Sequence, residues 1–124
     1  MSTDAHSSTV LIVEDETLVR MLGTDILEEA GFIVVEAADA DEAMAVLQGQ
    51  PDVHLLFSDV DMPGTMDGLE LARLVHERWP QIRLLLTSGH HRLASSDIPG
   101  TGQFVPKPWS GTALVDRIRG LLAA

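Results

Sequence analysis

Apolar and polar positions along the chain alternate between two kinds of segment. Short, largely apolar runs at Thr9–Val13, Phe32–Glu36, Val53–Ser58, Ile82–Leu86 and Phe104–Val105 have the length of strands covered on both faces. Between them apolar residues recur at helical spacing: Leu18, Met21, Leu22 and Ile26, then Ala40, Ala43, Met44 and Leu47, then Leu71, Val75 and Trp79, and finally Leu114, Ile118, Leu121 and Leu122. The punctuation agrees. Gly31 suits the left-handed stop of the first helix, and Asp39 with Glu42 reads as a capping box for the second, which Gly49 closes. Pro51 marks the turn before the third strand, Pro80 ends the third helix, and Ser110 suits the cap of the last.

One stretch breaks the pattern. Between Thr87 and Phe104 the residues SGHHRLASSDIPGTGQ hold three glycines, a proline and few apolar positions, so a helix there is expected to be short or disordered. Strands alternating with helices predict an α/β fold with right-handed crossovers. The specific expectation is a flavodoxin-like (βα)5 domain: a five-stranded parallel sheet of order 2-1-3-4-5, helices on both faces, and a fourth helix that is short or disordered. Residues 1–8, small and polar, read as a disordered N-terminal tail, 9–122 as one domain, and no effector domain is expected.

Composition narrows the function. The chain has 124 residues, enough to bury a core without staples, and no cysteine, which excludes disulfides and thiolate metal sites. A net charge of -11 with only eight lysines and arginines argues against binding nucleic acid, whose phosphates demand cations. No apolar run reaches the roughly 18 residues of a membrane span, and MSTDAHSST lacks the features of a signal peptide, so a cytoplasmic protein is expected.

The chemistry centres on LLFSDVDMPGTMDG, Leu55 to Gly68, where an apolar strand delivers Asp59 to its C-terminal end. In a parallel sheet, ligands sit beyond the carboxyl ends of the strands. Four of the five predicted ends carry candidate groups: Glu14 and Asp15, Asp59, Thr87, and Lys107. With the first and third strands adjacent, Glu14, Asp15 and Asp59 converge, and their mutual repulsion calls for a cation. An all-oxygen set without histidine or cysteine favours magnesium over zinc. Asp59 is then placed to attack phosphorus, Lys107 to supply a compact positive charge, and Thr87 a hydrogen bond to a phosphoryl oxygen.

VLIVEDE, LLFSDVDMPG with MDG, LLLTSG and the Lys107-Pro108 pair, in this order and at these separations, resemble the receiver domain of bacterial two-component response regulators, stand-alone or as found in hybrid histidine kinases. The resemblance runs from Thr9 to Leu122. It implies a phosphoprotein of phosphorelay signal transduction, with Asp59 as the aspartyl phosphate and Glu14, Asp15, Asp59 and the backbone carbonyl of Asp61 as Mg2+ ligands. It also implies Thr87 as the hydroxyl that follows phosphorylation, Phe104 as the coupled aromatic, and Lys107 as the phosphate-pairing lysine before a cis peptide to Pro108. The implied partners are a histidine kinase or histidine phosphotransfer protein and a downstream protein, with the chain a monomer or weak homodimer. There are departures. Asp61 stands where relatives often carry an apolar residue, an extra carboxylate expected to tighten magnesium binding or slow anionic phosphodonors. Gly64-Thr65 lengthens the turn after the third strand, Trp109 stands where phenylalanine is common, and the Pro/Gly-rich segment replaces much of a helix in the family's usual output face.

Each residue alone has a plainer reading: Asp59 as a turn former, Glu14-Asp15 as a solvated helix start, Thr87 as a polar strand end, Lys107 as a solvated cation and Phe104 as core. Asp67 reads as a helix cap, His54 as part of a covered strand, and His90-His91 as unsuited to a metal. Two other functions stand beside the leading one. An aspartyl-phosphate phosphatase of the haloacid-dehalogenase type would share the Asp59-Val60-Asp61 pattern, the lysine and magnesium, but its acidic pair follows the lysine. A phosphorylation-independent binding module with this fold would not need the full set of strand-end groups.

Overall fold

A computed structural model describes residues 8–49 and 52–124. The expected tail before Ser8 and the turn at Pro51 lie outside them. Five strands, β1 (Thr9–Val13), β2 (Ile33–Ala37), β3 (Leu55–Asp59), β4 (Arg83–Ser88) and β5 (Gln103–Pro106), form one parallel sheet. Its order is β2-β1-β3-β4-β5, the flavodoxin-like order that was expected. Among the described residues four helices accompany them: α1 (Thr17–Glu29), α2 (Ala40–Gly49), α3 (Gly68–Arg78) and α4 (Gly111–Ala123).

The apolar runs are continuous because successive side chains point to opposite faces, and both faces are covered. Leu11, Val13, Leu56, Leu84 and Leu86 face one way and pack with Ala43 and Leu47 of α2 and Leu71 and Val75 of α3. Val10, Ile12, Leu55, Phe57 and Leu85 face the other way, against Leu27 of α1 and Leu114, Ile118 and Leu121 of α4. At the β2 edge the pattern weakens, and Ile33 is exposed.

Helix ends follow their local chemistry. After α1, Gly31 takes φ 99, the Gly31 N–H bonds the Glu28 carbonyl, and the Phe32 N–H reaches back to that of Leu27. This double closure needs a left-handed residue, which glycine supplies without strain. Asp67 caps α3 in a reciprocal box with Glu70, as its position suggested. At α2 the box is displaced: Asp39 accepts from the Glu42 N–H, but the Glu42 carboxylate takes the N–H of Ala38. Ser110 accepts from the Ala113 N–H at the start of α4.

Two readings need correction. The spacing of Leu18, Met21 and Leu22 suggests a core-facing stripe, yet they are 79%, 51% and 53% exposed. The face of α1 that packs is Gly23, Thr24 and Leu27, because at Gly23 the helix backbone comes up against Ile12 and Trp109 and turns the longer side chains outward. His54 does not sit on a covered strand; it is exposed just before β3, its Nδ1 accepting the Thr9 N–H at 2.9 Å. The Pro/Gly-rich crossover between β4 and β5 holds a single 3-10 turn, Ser95–Asp97, in place of a full helix. No helix among the described residues is long and apolar enough to cross a membrane.

Candidate functional site

Parallel pairing carries the polar groups to one end of the sheet. Val13 is registered with Ser58, so Glu14 and Asp15 leave β1 beside Asp59, and Asp59 is registered with Thr87 on β4. Ser88 is registered with Pro106, and the Lys107 N–H bonds the Ser88 carbonyl, which brings Lys107 out alongside. Asp59 and Glu14 are nearly fully buried, whereas Asp15 is exposed. A cavity of about 230 Å³ opens over the group, lined by Asp15, Glu16, Asp59, Asp61, Gly89, His90 and Lys107.

Lys107 Nζ lies 2.6 Å from Glu14 Oε1 and 2.9 Å from Asp59 Oδ2, bridging two buried carboxylates. The second oxygens have their own donors: the Glu16 N–H to Glu14 Oε2 at 3.0 Å and the Asp61 N–H to Asp59 Oδ1 at 3.1 Å. Burial raises the pKa of Glu14; the Lys107 hydrogen bond and the Glu16 N–H partly offset this, and the Asp59 charge adds to it. Burial alone would lower the pKa of Lys107, but its hydrogen bonds to Glu14 and Asp59 and their charges together outweigh that, and the value is raised.

Glu14, Asp15 and Asp59 each offer a carboxylate oxygen, all within 4.8 Å of one another. An oxygen-only trio with one exposed member suits a hard divalent cation that keeps several waters, so these residues fit Mg2+. Asp61 does not join the trio with its side chain. Its Oδ2 accepts the Ser88 hydroxyl at 2.5 Å and its Oδ1 lies 2.7 Å from His91 Nδ1. Ser88 Oγ in turn accepts the N–H groups of His90 and His91, so the exit from β4 is tied to the loop after β3. Neither Ser88 nor His91 was singled out for this role in the sequence, because their partner lies 27 and 30 residues away and only the β3-β4 pairing unites them.

Thr87 is buried, and its Oγ1 accepts the Trp109 indole N–H at 2.9 Å. Phe104, half-buried, packs with the core cluster on the other face of the sheet from Trp109. The peptide from Lys107 to Pro108 is cis, as the motif implied. The glycine of MDG also has a steric reason: a Cβ at Gly68 would overlap the carbonyl of Asp59, because α3 begins directly against the strand end and the Gly68 N–H bonds the Val60 carbonyl.

The fold and this cluster define a doubly wound α/β domain with an acidic, lysine-bridged site beyond the strand ends. The family model for the response regulator receiver domain matches residues 10–119, and the chain belongs to that family. It is 37% identical over 120 residues to the sensor kinase CckA of Brucella abortus, covering 94% of this chain but 13% of that protein. It is 36% identical to the hydrogenase transcriptional regulatory protein HoxA of Cupriavidus necator, of which it covers 24%. The chain thus spans under a quarter of these two relatives. The response regulator receiver protein CpdR of Brucella abortus is matched over nearly its whole length, 97%, at 33% identity and 93% of this chain. Among solved structures, the receiver domain of the hybrid histidine kinase CckA aligns with TM-score 0.79 and 31% identity, covering 93% of this chain and 99% of that one. The response regulator protein TrrA of Thermotoga maritima, solved in complex with Mg2+-BeF, shares the fold at TM-score 0.80 and 24% identity, covering 92% of this chain and 98% of that one.

Proposed function

We propose that this chain accepts a phosphoryl group on Asp59 from a histidine kinase or histidine phosphotransfer protein, in a Mg2+-dependent reaction. It then signals in the cytoplasm by phosphorylation-dependent partner binding or by onward phosphotransfer. The observation that carries the reading is the Lys107 ammonium held between Glu14 and Asp59 in a carboxylate trio whose negative charge it only partly balances. The Mg2+-BeF complex of TrrA supports magnesium as the cation.

In the step, an Asp59 carboxylate oxygen forms a bond to phosphorus as the bond from phosphorus to the donor imidazole nitrogen breaks. That nitrogen keeps the electron pair and is protonated from solvent. Glu14, Asp15, Asp59 and the Asp61 carbonyl would hold Mg2+, which would supply neutralisation of the phosphoryl charge. Lys107 fixes one Asp59 oxygen and remains paired to the new phosphoryl group, and the Thr87 hydroxyl donates to a phosphoryl oxygen. Phe104 is the aromatic coupled to that movement. As a signalling domain it catalyses only its own phosphorylation and dephosphorylation.

The test is intact mass after incubation with acetyl phosphate, with and without Mg2+, for the wild type and Asp59→Asn. A Mg2+-dependent gain of one phosphoryl group that the variant lacks is expected. A gain that persists in Asp59→Asn, or none from either acetyl phosphate or a phosphorylated histidine donor, overturns the reading.

A further inference from the structure

Thr87 and Trp109 are hydrogen-bonded to each other beside Asp59. The Thr87 side chain issues from the residue registered with Asp59, one strand spacing away, and its hydroxyl oxygen accepts the Trp109 indole N–H. An indole nitrogen only donates, so the hydroxyl is its partner at that edge of the ring. The rest of the ring is packed. Phe57 lies 5.1 Å away between centroids, tilted by 56°, and Lys107 Nζ is 5.9 Å from the ring centre. On the α1 side, a Cβ built at Gly23 would stand 3.1 Å from Trp109 Cζ3 and 2.6 Å from Ile12 Cδ1, so helix and ring already touch without slack.

We infer that Trp109 is a positioning residue of the switch, its indole N–H holding the Thr87 hydroxyl in the resting protein and being released when a phosphoryl group on Asp59 claims that hydroxyl. The inference rests on the phosphoacceptor reading above. The hydroxyl has one proton to donate, and a charged phosphoryl oxygen takes it in a bond stronger than the neutral one its lone pair accepts from the indole, so the phosphoryl group sets the Thr87 rotamer. Threonine moves its oxygen between discrete χ1 wells, so turning toward phosphate takes the oxygen out of reach of the indole. The freed edge of a closely packed ring shifts against Gly23, and α1 receives the displacement. This route runs through the face of the sheet opposite Phe104, and it does not need the helix that the β4-β5 crossover lacks.

The chain has two tryptophans, so 15N-labelled Trp79→Phe protein shows one indole N–H resonance, that of Trp109. In the resting protein this proton is expected to exchange slowly, and Thr87→Val in the same background, which removes the hydroxyl and keeps the shape, is expected to move the resonance and speed exchange several-fold. Acetyl phosphate with Mg2+, at a phosphoryl occupancy read by intact mass on the same sample, is expected to move the wild-type resonance toward that of Thr87→Val. A mass gain with the resonance unmoved overturns the inference and leaves the phosphoacceptor reading standing. An indole resonance indifferent to Thr87→Val also overturns it. Absence of any mass gain from both acetyl phosphate and a phosphorylated histidine donor overturns the phosphoacceptor reading, and this inference with it, through a separate readout.

Discussion

The carboxylate of Asp61 is turned onto His91, with 2.7 Å between Oδ1 and Nδ1, although its backbone N–H donates to Asp59. One residue thus faces two ways, its main chain toward Asp59 and its side chain toward the segment leaving β4. An extra negative charge beside the metal site is the sequence expectation, but the side chain is already partnered by Ser88 and His91.

Asp61→Ala is therefore expected to leave Mg2+ affinity within about twofold of wild type, because the charge removed is partly screened and not a ligand. Its effect falls on the loop instead. The amides of His90 and His91 hydrogen-bond Ser88 Oγ, which Asp61 orients, and their hydrogen exchange is expected to accelerate. A tenfold change in Mg2+ affinity with unchanged amide exchange would reverse the assignment.

Glu14 gives a pH dependence whose sign is fixed by the direction of its shift. Burial raises its folded pKa above the ordinary 4.5, with the Lys107 hydrogen bond partly opposing. Between the two values the native state binds more protons than the unfolded one, so the contribution of Glu14 to stability is present at low pH and is lost as pH rises through the folded value. Without Mg2+, Glu14→Gln should lose this dependence. The stability of wild type relative to the variant, from urea midpoints, should fall as pH rises from 4.5 through the raised folded value, while Mg2+ affinity of the variant drops at least tenfold. Constant relative stability across that range would count against the buried, desolvated carboxylate.

Lys107 responds at the other end of the scale. Burial opposes its charge, but the two hydrogen-bonded carboxylates outweigh burial and raise its pKa above 10.5. Its stabilisation is thus present at and below that value and disappears as pH rises through the raised one. Lys107→Met leaves Glu14 and Asp59 buried without their shared partner, and a loss of about 3 kcal/mol is expected in metal-free urea unfolding. Added Mg2+ should recover part of it, since a cation in the trio replaces the missing charge. A variant as stable as wild type without metal would show that the bridge contributes little.

Much of this arrangement was legible in the residues. The five strands and the two-sided cover follow from apolar runs that end in polar groups, and the flavodoxin-like order, once adopted, brings Glu14, Asp15, Asp59, Thr87 and Lys107 together. The caps at Gly31, Asp67 and Ser110 were equally local. The orientation of α1 was not legible, because Leu18, Met21 and Leu22 satisfy the helical period as well as the buried face does. What decides between the two faces is Gly23, whose missing side chain lets the helix approach Ile12 and Trp109. The Thr87-Trp109 and Asp61-His91 contacts likewise depend on a neighbouring strand or loop, which no local spacing encodes.

Gly68 is the last case, and it joins motif to mechanism. Its position at the start of α3 leaves no room for a Cβ, which would overlap the Asp59 carbonyl and crowd Val60 Cα at 2.8 Å. Both obstacles are backbone, so a rotamer change cannot relieve them; either α3 withdraws or the end of β3 moves. Gly68→Ala is expected to lower stability by about 2 kcal/mol, the scale of overpacking in a close-fitting interior. Because the displaced backbone carries Asp59 itself, phosphorylation by acetyl phosphate should slow by more than the loss of folded protein accounts for. Gly49→Ala is the control: a Cβ there meets nothing within 4 Å, and its stability should hold or rise slightly. If Gly68→Ala matched Gly49→Ala in both urea midpoint and phosphorylation rate, the tight seat of α3 against Asp59 would be refuted.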